Sequence, residues 1–522
     1  MMQTDFKRTL CLFLAAVTAA LPLTLASCSE KAADPSSDTA GGGSGQSQTV
    51  SGNQASPEDA PETEAPAPEI DPGLIDELPT DVKYDGEDYV VLSHDHGAAA
   101  VAWMVQDIWT EGETGERIND AVFQRNLMME DRFGVKVAQR LESDPQAVAR
   151  TAVTTGADEF AILQTTVQNQ AANAINGLTL NMARLPHLNF DKGWWDTSAT
   201  KSLAVGGKVY YAIGDSQLNA KKATWGVLFN KRLVSDAGIP NLYETVKEGS
   251  WTIDLLKEYG TSIARDVNGD GTMTWGEDVW GLGLQNEVVL PLLLGTGEKI
   301  IDVHDDGTYD YNLGSDANMT AMERIWNFMN TDADYILNAN KHSEIASVWV
   351  EFRKLFMADQ IAFFMGHLGT PTLVAGDMES DFGILPFPKV SAEQEGYYST
   401  FQYNNAHAVS IPKSASDADK TALLTEAYEM FAHTTILPAY YDYTLTLRAA
   451  RDNESGEMLE LIFANRNLDL ALAYNSTTSL QSTLENAVTA SSFTFASTEA
   501  KSKKVLVKAV EKVLTTIAGF ED

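Results

Sequence analysis

The sequence predicts an α/β protein of two domains or lobes. Two observations carry this. Short apolar strands alternate with an amphipathic helix between Tyr89 and Thr165, the pattern of a largely parallel sheet covered by helices. The chain as a whole is 44% apolar, an ordinary globular composition, and more than 400 residues follow its polar N-terminal region, too many for one small core.

In chain order, the first segment is an apolar leader. Lys7 and Arg8 form a positive start and Leu10 to Leu25 a stretch too short and interrupted to span a bilayer permanently. It ends in Leu25-Ala26-Ser27-Cys28, a lipobox. Small residues before a Cys are what a lipoprotein signal peptidase accepts, so residues 1–27 read as a signal peptide and Cys28 as the acylated first residue. Acyl chains add about 0.8 kcal/mol per buried CH₂ and anchor a protein without a membrane-crossing helix. Cys11 lies in the leader, so no disulfide forms within the mature chain. The expected location is the extracellular face of the cytoplasmic membrane, with contact through the lipid alone.

Residues 28–80 are rich in Ser, Gly, Ala, Pro and acids. From Ser29 to Thr80 there are eleven acids against one base, Lys31, and such a segment reads as a solvated tether. The whole chain carries a formal charge of −36. That repels nucleic acid and anionic headgroups, so neither is an expected partner; a neutral ligand fits best.

The folded body starts near Val82. Tyr89 to Ser93 reads as a buried strand, and Asn119 to Phe133 as a helix capped by Asn119 and ended by Gly134. Val135 and Val137 resume as strand, and Glu159 to Thr165 is another. Further candidate strands are Gly226 to Asn230, Ile361 to Met365, Phe382 to Leu385 and Ala408 to Ile411, and Asp417 to His433 is a helix.

Enzymatic signatures are absent: the chain has no G-x-S-x-G, H-E-x-x-H or phosphate-loop motif. His94 and His96 form an H-x-H read as solvated. The loop Asp266-Val267-Asn268-Gly269-Asp270-Gly271-Thr272, with Glu277 at position twelve, has the ligand spacing of a calcium loop. Asp266, Asn268, Asp270, Thr272 and Glu277 are its expected ligands, and structural calcium the expected cofactor.

The run TGERINDAVFQRNLMMEDRFGVKV, Trp194-Trp195-Asp196 through Gly206-Gly207-Lys208-Val209-Tyr210, LFNKRLVSDAGIPNLYETVKEGSWTIDLLKEYG, DVNGDGTMTWGEDVWGL and FGILPFPKV together resemble the extracellular solute-binding lipoproteins of carbohydrate-type ABC importers, over roughly residues 82 to 470. The resemblance implies a type 2 periplasmic-binding-protein fold, with ligand in the cleft between two α/β lobes. It places chain crossings near Ser216 to Trp225, Phe401 to His407 and Pro438 to Tyr443. The lobes then comprise 81–220 and 403–437 for the first, 221–402 and 438–522 for the second.

Sugar sites pair aromatic rings with amides, carboxylates and hydroxyls. The segments expected to face the cleft offer Trp103, Thr166, Gln168, Asn219, Trp225, His367, Tyr403 and Asn404. Trp103, Trp225 and Tyr403 are the expected stacking rings, while Trp194, Trp195 and Trp251 are expected to pack the core. The function implied is capture of a carbohydrate, expected to be an oligosaccharide, for delivery to the transmembrane subunits of an ABC permease by a monomer that performs no chemistry. A lipid-anchored glycoside hydrolase and a cell-surface scaffold or adhesion protein are the alternatives.

Overall fold

Each lobe is organised around its own sheet. The computed structural model describes residues 72–96, 102–304, 306–330, 334–446 and 453–521. The leader, Cys28 and most of the expected tether lie outside the described residues, as does part of the loop after the first strand. Residues Pro68–Asp522 form one compact unit.

The first sheet joins β1 (Asp88–His94), β2 (Lys136–Glu142) and β3 (Ile162–Thr166) in parallel. The second contains β4 (Trp225–Asn230), β5 (Trp280–Leu284), β8 (Ile336–Asn338), β9 (Ile361–His367) and β10 (Phe382–Leu385), while β6 (Ile301–Val303) and β7 (Tyr309–Tyr311) make a separate ribbon. The chain then returns as β11 (His407–Ser410), antiparallel to β3. The orders are β11-β3-β1-β2 and β10-β4-β9-β5-β8. Every residue of β3 and of β4 is buried, as expected of strands covered on both faces.

The first amphipathic helix spans Arg117–Phe133 and ends at Gly134. Glu116, not Asn119, caps it, accepting the N–H groups of Ile118 and Asn119. The helix Ala418–Thr434 packs on it and on β1 residues, with Met129, Phe133, Tyr428 and Phe431 in one core. Trp194 and Trp195 pack this lobe, each donating its indole N–H to the Glu426 carboxylate, at 2.9 and 2.8 Å. Trp251 is fully buried in the second lobe and donates to the Pro386 carbonyl.

The strand β5 escaped the sequence reading because its sequence, WGLGL, carries two glycines that weaken a strand signal. Gly281 is required by packing: a Cβ there would fall 2.0 Å from the Gly260 carbonyl oxygen of helix Ile253–Ile263.

The expected C-terminal boundary is corrected. Helix Ile436–Thr446 packs on Arg117–Phe133, with Ile436 and Tyr440 against Ile118 and Val122, so the first lobe continues past 437. The last helices are not confined to the second lobe. Phe495–Ala518 packs on both Val167–Ile175 after β3 and Asp316–Asn330 of the second lobe, and Phe520 places its ring 5.9 Å from that of Tyr210.

Two crossings run side by side. Thr224 bridges Phe401 antiparallel, Trp225 N–H donates to the Thr400 carbonyl and Gln402 N–H to that of Ala223. At the head of the first crossing, the Glu429 carboxylate accepts both the N–H and the hydroxyl of Ser216, and Asp215 meets His433 at 2.7 Å.

Candidate functional site

Sheet polarity determines which side chains meet. Strands β5 and β9 are parallel and β4 runs antiparallel to β9, so the ends of β5 and β9 and the start of β4 lie at one edge, beside the crossings. Trp225 and His367 are register partners across β4 and β9. Their rings accordingly lie 4.1 Å apart. From the first lobe, the loop after β1 brings Trp103 to 5.6 Å from the same imidazole.

These three rings border a cavity of about 170 Å³. Trp103, Trp225, His367 and Asn404 line it as the sequence suggested. Gln285, Glu287, Trp349, Arg353, Thr370 and Gln402 also line it. The loop after β5 was missed with its strand, and Trp349 and Arg353 sit on helix Val348–Met357, which sequence spacing does not tie to the cleft.

Four buried polar atoms of these lining residues have no hydrogen-bond partner in the protein: Trp225 Nε1, His367 Nε2, Gln402 Oε1 and Glu287 Oε2. Leaving such an atom unsatisfied costs about 1–3 kcal/mol. All four belong to residues that line this one cavity, and buried polar atoms of native proteins ordinarily find a partner. Burial, reinforced by Arg353, pushes the His367 imidazole down to about 3, so the ring is neutral near neutral pH. Burial holds the Glu287 carboxyl above its ordinary range, and the Glu485 charge adds to this.

The other sequence candidates have different places. Tyr403 is fully buried; its ring lies 4.9 Å from Phe401 and its hydroxyl accepts the Asp469 N–H at 2.7 Å, so it is a core residue and no stacking ring. Thr166 caps helix Val167–Ile175 through Asn169 N–H. Gln168 donates its backbone N–H to the Tyr403 carbonyl, and neither it nor Thr166 lines the cavity. Asn219 is buried and faces His407, 3.5 Å from its Nδ1.

His94, the last residue of β1, and His96 just after it are not simply solvated. Their rings stack at 4.5 Å, and His96 Nε2 lies 3.2 Å from Nε2 of the buried His407, linking that loop to β11.

The acidic loop lies elsewhere in the second lobe, between helix Ile253–Ile263 and β5. Asp266 accepts the N–H groups of Gly269 and Gly271, both at 2.7 Å, and Asp270 that of Thr272 at 2.8 Å. Asn268 bridges Asp270 and Glu277 with its amide. Asp278, fully buried, closes the loop by accepting from Val267 and Thr274. Among the described residues, no group of three or more His, Cys, Asp and Glu side chains is arranged to hold a metal ion.

No family model and no curated protein matches the chain. Solved structures do. A sugar transporter of Rhizobium etli in an open conformation is similar over 83% of this chain and all of its own, at 14% identity and a TM-score of 0.51. The two-lobe solute-binding fold is therefore the fold of this chain. A cyclo/maltodextrin-binding protein complexed with maltotetraose has the same TM-score, 0.51, at 14% identity over 84% of this chain and 100% of that one. So does UgpB from Mycobacterium tuberculosis in complex with glycerophosphocholine, at 16% identity over 75% and 95%. Proteins similar in fold to this chain have thus been solved with chemically different ligands, maltotetraose and glycerophosphocholine. No helix among the described residues is long and apolar enough to cross a membrane.

Proposed function

We propose that this chain is the solute-binding component of an ABC importer, that it captures a neutral carbohydrate between its lobes, and that it performs no chemistry. The observation that carries this reading is the cavity beside the crossings, with aromatic walls and unpartnered polar atoms of both kinds. Trp225 Nε1 is a donor; Gln402 Oε1 and Glu287 Oε2 are acceptors. Sugar hydroxyls both donate and accept, and their C–H faces suit Trp103 and Trp225. A glycoside hydrolase needs two facing carboxyl groups, and Glu287 is the one carboxylate among the residues lining this cavity.

The wider setting belongs to the same proposal. A lipid on Cys28 holds the protein at the outer face of the cytoplasmic membrane, residues 29–80 tether it, and transmembrane permease subunits receive the sugar from a monomer. Cell fractionation of Cys28→Ala checks the anchor: the variant is expected to leave the membrane fraction, and its retention there overturns the anchor.

A thermal-shift screen against neutral mono- and oligosaccharides checks the ligand class. Ligand at a hundredfold excess over Kd stabilises the folded state by about 2.7 kcal/mol. A complete absence of shifts, together with hydrolysis of any panel member, overturns the reading in favour of an enzyme.

A further inference from the structure

We propose that the outer face of the last helix, Phe495–Ala518, is a docking surface for an anionic phospholipid membrane. This rests on the reading of the chain as held at a membrane, and adds a contact that does not run through the lipid on Cys28. The helix carries five lysines and two glutamates, a net of +3 in a chain of −36. Lys501, Lys504, Lys508 and Lys512 follow one another at spacings of three and four residues, which puts all four on one face. All four are exposed. The opposite face is the one the fold buries, through Leu506, Val510, Val513, Leu514 and Ile517. At 1.5 Å per residue the row is about 16 Å long.

The two acids of the helix are turned away from this row. Glu499 accepts the Tyr311 hydroxyl at 2.9 Å, and Glu511 accepts that of Tyr309. Like charges three or four residues apart weaken a helix, a cost that an anionic surface would relieve. Val505 stands on the same face, between Lys501 and Lys508. It is 66% exposed, the most exposed large hydrophobic residue among those described. An apolar side chain inside a lysine row suits a bilayer surface, where ammonium groups meet phosphates and apolar groups reach the acyl boundary. Nucleic-acid phosphate offers the charge without the apolar layer.

The charge of the whole chain does not forbid this. At physiological ionic strength charges are screened within about 8 Å, so a membrane against the row meets the lysines first and feels little of the distant acidic surface. The sum over the sequence, which sets anionic headgroups aside, averages away a row that the helix gathers on one face. The helix also packs on Val167–Ile175 of the first lobe and Asp316–Asn330 of the second. Contact through its outer face therefore fixes how the whole body is turned at the membrane, which a long tether alone cannot do.

The test is flotation of the full mature chain carrying Cys28→Ala, and so without acyl chains, with vesicles of phosphatidylcholine alone or of phosphatidylcholine and phosphatidylglycerol in equal parts. It is compared with the same chain bearing Lys501→Gln, Lys504→Gln, Lys508→Gln and Lys512→Gln. A charge-matched control bears Lys136→Gln, Lys201→Gln, Lys247→Gln and Lys354→Gln, exposed lysines elsewhere. Binding is expected to the anionic vesicles only, and to fall about a hundredfold or more when the row is neutralised. It should vanish at about 1 M salt, where charges are screened within roughly 3 Å, and the control should bind like the parent. Circular dichroism checks folding; should the row variant fail to fold, the Lys504→Gln, Lys508→Gln pair takes its place with an expected loss of about tenfold or more. Equal losses in the row and control variants would show that net charge alone acts, and overturn the surface. Binding to neutral vesicles that survives salt is apolar adsorption and overturns it too. So does absence of binding to both vesicles, which leaves the row to an acidic protein. No acyl chain and no saccharide enters these measurements, so the Cys28 fractionation and the saccharide screen stand or fall separately.

Discussion

Gly369 lies directly against the ring of Trp103, so closely that a Cβ on Gly369 would fall 2.5 Å from Trp103 Cδ2. The contact crosses the cleft: Trp103 sits on the loop after β1, and Gly369 follows β9. The lobes of this structure are therefore in contact beside the cavity. Gly369→Ala is expected to force them apart there, because the tryptophan ring cannot yield by a flexible end. The free variant should populate a more open state and bind ligand about tenfold more weakly, since apparent affinity falls with the population of the competent state. Small-angle scattering checks this. An unchanged radius of gyration together with wild-type affinity would show that the contact plays no part in closure.

Trp225, Tyr403 and Trp251 separate binding from folding. Trp225→Ala removes a cavity wall and the neighbour of His367 at 4.1 Å, so ligand affinity should drop by tenfold or more. Trp225 is itself 1% exposed, and its loss should also lower stability. Tyr403→Phe leaves the buried Asp469 N–H without its acceptor, which should cost about 1–3 kcal/mol of stability with affinity retained. Trp251→Ala empties a fully buried site and should cost about 3–5 kcal/mol. Urea titrations paired with calorimetry read both quantities. A Tyr403→Phe protein that loses affinity but no stability would return that ring to the ligand.

The fold was legible where residue pattern and burial coincide. The apolar pair Val91-Leu92 and the run Val227-Leu228-Phe229 are buried on both faces of their strands, and they stand where the sequence puts them. The site was legible only in part. Trp103, Trp225, His367 and Asn404 follow strand ends or crossings that sequence could locate, whereas Glu287 follows a glycine-bearing strand and Arg353 lies on a helix. Tyr403 adjoins Gln402 and Asn404 in the second crossing, but its ring packs on Phe401 and its hydroxyl accepts the Asp469 N–H, contacts that no local pattern announces. The join of the C-terminal helices to the first lobe rests on long-range contacts such as Phe520 on Tyr210, which have no local signature.

The acidic loop gives a metal-dependent expectation. Asp266, Asp270 and Glu277 lie in one exposed segment whose Asn268 amide already connects two of them. Backbone N–H groups, that of Gly271 foremost, hold the Asp266 carboxyl below its ordinary range, so it is anionic at neutral pH. The calcium expected from the ligand spacing would have to bind a loop whose side chains are already hydrogen-bonded to one another and to the backbone, and calcium-dependent stability tests that expectation. Calcium should then raise the melting midpoint of chelator-treated protein, magnesium should do so poorly, and Asp270→Ala should be unresponsive. Identical midpoints in chelator and calcium would leave the segment a hydrogen-bonded turn, which its Asx contacts can sustain alone.

Two buried carboxyls on helix Ala418–Thr434 should make stability depend on pH. Burial pushes both Glu426 and Glu429 up to about 7, against hydrogen bonds from Trp194, Trp195 and Ser216 that favour the charged form. The sign follows from proton binding. Below pH 4.5, their ordinary value, both carboxyls are protonated in the folded and unfolded chain, and neither state is favoured. As pH rises from there to about 7, the unfolded chain releases its protons while the folded one retains them, so stability falls; above about 7 the loss levels off. The loss is on the order of 3 kcal/mol for each group. Glu429 also holds Ser216 at the first crossing, so its ionisation is felt where the lobes join. Urea unfolding between pH 5 and 8 should show this decline in wild type and a flatter profile in Glu426→Gln and Glu429→Gln. The comparison between proteins matters because the net charge of −36 adds its own pH dependence to all of them. Parallel profiles for wild type and both variants would mean that these carboxyls titrate in the ordinary range despite their burial.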